Sequence, residues 1–226
     1  AHAYDLTQLT GAVVARRAVE DETVTALNGK DYVLNAEMTV IADANGVHDI
    51  AGIMGGEHSG CSETTTDVLL ECAYFTPERI ATTGQKLSLT SDARGRFERG
   101  VDPAFLDDGL SIATSLVTHL CGGTPSEATH AGAPPVTPKL VDYRPDQCLT
   151  LAGVYVAADE QKRILESLGF VVSGQDNRTD YEDGVPVTVP GMWSITVPSW
   201  RRDIDGWPDI VEEVVRIVGL EHVPST

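Results

Sequence analysis

The stretch Gly122–Pro138, GGTPSEATHAGAPPVTP, constrains the fold of this chain more than any other. Its Gly, Pro, Thr, Ser and Ala residues favour turns and offer little apolar surface, so it is a poor helix and a poor strand. It is the best boundary candidate, although part of it could lie across the first unit. Two units are therefore expected, residues 1–138 and residues 139–226. Both are long enough to hold a core of their own.

Within the first unit, Val13 to Ala18 and Val33 to Ala42 read as strands, with Asn28-Gly29 as the turn between them. Asp49 to Met54 and Thr66 to Phe75 continue the β pattern. A helix should follow, with Asp102 as N-cap, Pro103 at its first position and Gly122-Gly123 at its end. Phe105, Leu106, Leu110, Ala113, Leu116, Val117 and Leu120 form its apolar stripe.

In the second unit, Lys139 to Tyr143 looks like a strand and Asp159 to Leu168 a short helix closed by Gly169. Val187 to Val197 alternates around Pro190-Gly191 as a hairpin would, and Pro208 to Val218 reads as a helix. The acidic run Asp176 to Asp183 reads as a solvated insertion. The fold class expected is α+β: a β-rich mixed unit followed by a small winged-helix-like one.

Charge excludes some functions. The 34 acidic residues against 16 basic ones give a formal net charge of −18, which repels phosphate backbones and argues against non-specific DNA binding. The apolar runs fall far short of the roughly 20 residues that span a bilayer. No basic segment precedes an apolar one at the start, so no signal peptide is expected. The abrupt AHAYD beginning suggests a piece of a longer chain. Cys61, Cys72, Cys121 and Cys148 have no CxxC spacing, a pattern that fits reduced thiols in the cytoplasm.

Between Gly52 and Pro103 three segments look like walls of one pocket: GIMGGEHSG, the apolar run VLLECAYF holding Glu71, and a small-residue loop of Ser91, Asp92 and Ala93. The glycine segment lacks both the GxGxxG spacing and the GK[ST] ending of nucleotide loops. A tight turn, or a backbone that a ligand must approach at Gly55 and Gly56, explains it better. Glu71 requires an explanation because burying an ionised carboxylate is expensive. Arg94, Arg96 or Arg99 could satisfy it structurally. Alternatively it is the group by which a pocket recognises a hydroxyl or ammonium. His2, taken alone, reads as an ordinary histidine, and Cys72 as a buried inert thiol.

Near the end, Asp203 precedes a helix whose first turns carry Asp209, Glu212 and Glu213 on one face. Acids favour helix N-termini without any ligand, and Glu212 can pair with Arg216. The other reading is a site for a hard cation such as Mg²⁺.

Taken together, HAYD (2–5), GIMGGEHSG (52–60), LLECAYF (69–75), SDARGRFERGVDP (91–103), VPSWRRDI (197–204) and DIVEEVVRIVGLEHVP (209–224) resemble the beta subunit of bacterial phenylalanyl-tRNA synthetase over nearly the whole chain. The resemblance implies an editing domain, lacking its beginning, followed by a winged-helix-like domain. It implies hydrolysis of tyrosine wrongly attached to the tRNA for phenylalanine, within an alpha2-beta2 ligase. Glu71 would read the tyrosine phenol and Gly55, with Gly56 beside it, would lie against the bound side chain. Ser91 and Ala93 would form the small-residue wall, Ser91 standing where many relatives have Thr, and His2 would stand near the ester. Asp203, Asp209, Glu212 and Glu213 match magnesium positions shared with the alpha subunit. ATP would be used by the parent enzyme and not bound here. The competing expectation is a non-catalytic scaffold that positions tRNA or DNA within the same assembly.

Overall fold

A computed structural model describes residues 1–176, 178–182, 185–189 and 191–224. The chain divides into two compact units, Ala1–Pro134 and Pro135–Thr226.

The first unit is mostly antiparallel β structure. Its strands are β1 (His2–Asp5), β2 (Val14–Arg17), β3 (Thr23–Thr25), β4 (Asp31–Val33), β5 (Thr39–Asp43), β6 (Gly46–Ile50), β7 (Met54–Gly55) and β8 (Val68–Glu71). Helices α1 (Pro77–Lys86), α2 (Asp92–Phe97) and α3 (Leu106–Cys121) follow. A four-stranded sheet runs β2-β5-β6-β7, while β1 pairs with β8 and β3 with β4. The core gathers Tyr4, Leu34, Val40, Ile50, Ile53, Phe75 and Ile80, all nearly or fully buried.

Several expectations change here. Val33 to Ala42 is not one strand, because Asn35 breaks it: its Oδ1 accepts from the Glu37 amide and its carbonyl from the Met38 amide. Asn28-Gly29 therefore connects β3 to β4, with Gly29 at φ +72°. Helix α3 starts at Leu106 and not at Pro103, since the Asp102 carboxylate accepts from the Ala104 amide and closes a separate turn. Its apolar stripe stays partly open, with Phe105, Leu116 and Leu120 between 47% and 71% exposed. The small-residue segment at Ser91 is not a loop but the start of α2.

The second unit contains β9 (Lys139–Tyr143), α4 (Gln147–Ala152), α5 (Ala158–Ser167), β10 (Val171–Gln175), β11 (Arg178–Glu182), β12 (Val185–Val189), β13 (Met192–Val197) and α6 (Trp207–Val218). Strand β13 buries alternate residues Trp193, Ile195 and Val197, the period expected of a strand with one face on a core. Both of its edges are occupied, by β10 and β9. No edge remains for β12, which pairs with β11 instead, so the hairpin expected over Val187–Val197 does not form. Part of the acidic run expected to be a solvated insertion is strand β11; Asp183 and Pro190 lie outside the described residues. Gln161 is completely buried and fully engaged: it accepts from Tyr143 Oη at 2.6 Å and donates to the Pro145 and Val156 carbonyls. That satisfaction is what makes a buried amide tolerable among apolar neighbours. Against this core α6 packs Ile210, Val211, Val214 and Val215.

Candidate functional site

Strand β1 places His2 directly opposite Glu71 on β8. Directly opposed residues of an antiparallel pair project on the same side of the ladder, and both line one pocket. Its other walls are Asp49, Gly52, Ile53, Met54, Gly55, Ala73, Phe75, Ala93 and Phe97. The pocket encloses about 430 Å³ when the space at its open mouth is included. Phe75 and Phe97 stand 5.4 Å apart and give it an aromatic side. The polar groups gather at Glu71, Asp49 and His2.

Two glycines are required by close approach. Gly52 has φ +68°, and a Cβ there would lie 3.0 Å from Phe75 and 3.1 Å from Phe97. At Gly55 a Cβ would lie 2.5 Å from His2 Cε1, so Gly55 is small because the His2 ring lies against it. Gly56 does not line the pocket. It bridges to Ala26, and its amide donates to the His48 carbonyl at 2.6 Å.

Glu71 is not held by arginine. Arg94 pairs with Glu98 and donates to the Leu89 carbonyl. The partner of Glu71 is the fully buried Tyr4, whose hydroxyl donates to Glu71 Oε2 at 2.9 Å and lies 3.2 Å from Asp49 Oδ2. Burial raises the Glu71 carboxyl, partly offset by the Tyr4 hydrogen bond. Asp49 is pushed up to about 8 by burial and then by the Glu71 charge. Desolvation by burial lowers His2. The Tyr4 phenol is raised, by burial first and by both carboxyls after it, and serves as a neutral donor.

Ser91 lies behind the wall. Its Oγ accepts from the Arg94 amide, capping α2, and donates to the Ile53 carbonyl at 2.6 Å. It thus ties the helix carrying Ala93 to the Gly52–Gly55 turn. Cys72 is also outside the pocket, its sulfur facing Gly109 of α3. The four cysteines are free thiols.

Asp49 is the residue that sequence reasoning missed. It sits beside His48 in a strand otherwise given to the core, a signal of the same kind that marked Glu71. His48 and Asp43, 2.8 Å apart with both side chains almost inaccessible, form a second buried polar pair. Amides of Thr10 and Asn45 together with His48 overcome the burial of Asp43 and hold its carboxyl at about 2.

The acidic residues near α6 do not gather. Glu213, 4% exposed, accepts from Arg201 at 2.6 Å and Arg216 at 2.7 Å, and Arg201 also holds Asp203. Asp209 turns back to accept from the Asp205 and Gly206 amides. Glu212 is exposed on the helix. Hydrogen bonds from Arg201 lower both Glu213 and Asp203. Among the described residues no group of three or more His, Cys, Asp or Glu is placed to hold a metal ion. The magnesium expectation at Asp203, Asp209, Glu212 and Glu213 therefore does not fit this arrangement, because cations and amides of the chain already occupy three of the four carboxylates. No helix among the described residues is long and apolar enough to cross a membrane.

Comparison with known proteins agrees with this division. Residues 1–122 match the B3/4 domain family and residues 141–220 the tRNA synthetase B5 domain family. A phenylalanine–tRNA ligase beta subunit of Novosphingobium aromaticivorans is 61% identical over 226 residues, covering 100% of this chain and 26% of the relative. Its counterpart from Rhodopseudomonas palustris is 48% identical over 225 residues, again 100% and 26%. A crystal structure of an N-terminal fragment of the phenylalanyl-tRNA synthetase beta subunit from Pyrococcus horikoshii is similar at a TM-score of 0.41 and 17% identity, over 94% of this chain and 58% of that one; so slight a likeness adds nothing to the assignment. The chain spans about a quarter of the length of these curated relatives. With a B3/4 domain over more than half its length and a B5 domain after it, the chain belongs to the phenylalanine–tRNA ligase beta-subunit family.

Proposed function

We propose that the pocket of the first unit is an editing site that hydrolyses tyrosine wrongly esterified to the tRNA for phenylalanine. The observation that carries this reading is the Glu71 carboxylate standing in a small pocket with an aromatic side. Phe75, Phe97 and Ala93 suit an aromatic ring, and Glu71 suits the hydroxyl that distinguishes tyrosine from phenylalanine. A phenylalanyl ester would offer the desolvated carboxylate no hydrogen bond beyond the one Tyr4 already donates, at a cost of about 1–3 kcal/mol. This is the second sieve of a two-site enzyme: it accepts the product carrying the extra hydroxyl and rejects the correct one.

Each residue then has a definite task. Glu71 accepts the substrate hydroxyl. Gly55 leaves room for the His2 ring, which stands across the ladder from Glu71 and near the ester. Ser91 holds the wall bearing Ala93 in place and is not a nucleophile, since its hydroxyl is committed to Ile53 and the Arg94 amide. Cleavage needs no covalent intermediate; a water positioned at an already labile ester is sufficient.

The chain is read as part of a cytoplasmic alpha2-beta2 ligase in which the alpha subunit carries the synthetic site. The ATP and Mg²⁺ of tRNA charging serve that site. The second unit is read as a non-catalytic support for subunit and tRNA placement, held by its Arg201–Glu213–Arg216 cluster. A scaffold role for the first unit is disfavoured by the pocket beside Gly55 and by a Glu71 that no arginine seals. A DNA-positioning role is disfavoured by the net charge of −18.

The test is deacylation of tyrosyl-tRNA for phenylalanine by the intact heterotetramer. Glu71→Ala should abolish tyrosine release and leave phenylalanine charging in place. Normal editing by this variant would overturn the assignment.

A further inference from the structure

Tyr4 has one hydroxyl hydrogen and two carboxyl oxygens within reach, Glu71 Oε2 at 2.9 Å and Asp49 Oδ2 at 3.2 Å. Asp49 is 5% exposed and lines the pocket. Its Oδ1 is buried without a hydrogen-bond partner. A second acid beside Glu71 is expensive, and the editing reading gives it no role.

We propose that Asp49 is a positioning residue for recognition of the substrate hydroxyl: held as a neutral acid, it donates to Tyr4 Oη, so that the Tyr4 hydrogen stays on Glu71. The resulting chain runs from the Asp49 acid through the Tyr4 phenol to the Glu71 carboxylate. It keeps the negative charge on the group that meets the ligand, and it fixes the orientation of that carboxylate. The inference rests on the editing reading of the same pocket.

The surroundings of Asp49 supply the reason. Strand β1 brings the Tyr4 hydroxyl to Asp49 and His2 to this end of the pocket, and β8 presents Glu71. Across the ladder from Asp49 stand Ile41 of β5 and Gly55 of β7, neither of them charged. The adjacent His48 is engaged with Asp43. Among the described residues no arginine or lysine lines the pocket. Two full negative charges flanking one phenol oxygen repel strongly in such a place, and a proton on the more buried carboxyl relieves this. Burial and the Glu71 charge place the Asp49 proton loss at about pH 8. Above that pH the two anions compete for the single Tyr4 hydrogen, and affinity for the tyrosyl group should fall.

The experiment measures KM and kcat for deacylation of tyrosyl-tRNA by the full heterotetramer between pH 6 and pH 9, with spontaneous ester hydrolysis subtracted. Wild type should show KM rising above about pH 8 with kcat little changed. Asp49→Asn retains a donor to Tyr4 Oη that cannot ionise; its KM at pH 7 should stay within about threefold of wild type, and the high-pH rise should vanish. Asp49→Val removes the donor, and KM should rise about tenfold or more across the whole range. Phenylalanine charging and thermal unfolding of each variant report on folding. An Asn variant that behaves like Val, that keeps the wild-type pH profile, or a Val variant with wild-type KM would overturn the inference while editing itself stands. A wild-type enzyme that releases no tyrosine would overturn the editing reading and this inference together.

Discussion

His2 and Glu71 face one another across the β1–β8 ladder, sixty-nine residues apart in sequence and direct partners in register. The pairing fixes the polar end of the pocket to a backbone ladder, whose geometry is far less mobile than a loop. In the proposed editing site, the hydroxyl-reading group and the group nearest the ester are thereby held on one rigid element, as a site with tight positional demands requires.

Gly55→Ala should weaken editing without unfolding the unit. A Cβ at that position would meet His2 Cε1 at 2.5 Å, so the ring must move. Because the ring borders an open pocket, the expected stability cost is under about 1 kcal/mol. Tyrosyl-tRNA deacylation should fall about tenfold or more. Gly55→Trp should fill the pocket and abolish it. Both are read by deacylation rate and thermal unfolding of the heterotetramer.

Ser91 provides a structural contrast. Ser91→Ala removes a helix cap and should destabilise the first unit by about 1 kcal/mol. Ser91→Thr keeps the hydroxyl and should restore both stability and deacylation. A Thr variant with normal stability but no deacylation would place Ser91 in the chemistry itself.

Asp49 makes stability depend on pH, with a definite sign. Its folded value of about 8 lies above its ordinary value of 3.8. The folded protein therefore holds a proton that the unfolded chain has released, and the contribution to stability declines as pH rises between those values. Asp49→Asn should be more stable than wild type by about 1–2 kcal/mol at pH 8–9. The difference should shrink as pH falls and disappear only below the ordinary value of 3.8, as denaturant titrations at each pH will show.

In the second unit, Glu213→Ala leaves Arg201 and Arg216 facing each other without their common acid. Losing one partner of a buried pair costs about 3–5 kcal/mol. With Arg216 half-exposed, about 2–3 kcal/mol is expected. Since the folded value of Glu213 is lowered by Arg201 and Arg216, its contribution is present above the ordinary carboxylate range and lost on acidification. Chelation with EDTA should leave the unfolding temperature of the chain unchanged.

The sequence revealed Glu71 because a carboxylate inside VLLECAYF demands a reason, and it revealed the Gly turn because glycine clusters mark close approach. Asp49 remained hidden because its meaning depends on Tyr4 and Glu71, which reach it only through the fold. Ser91 was read as a loop residue, since α2 is too short and too charged to show helical periodicity; its cap position is visible only once Arg94 is seen bonded to it. In α6 the spacing of the acids correctly put them on a helix, but spacing does not show that Arg201 arrives from outside the helix to claim Glu213. The stripe on α3 is a similar case: periodicity defines an apolar face and leaves open what lies against it.

The measurement that bears most directly on the whole account is release of tyrosine from mischarged tRNA by the heterotetramer, comparing wild type with Glu71→Ala. The account predicts rapid release by wild type, loss of at least about tenfold in the variant, and unchanged charging with phenylalanine. Equal release by both enzymes would contradict it.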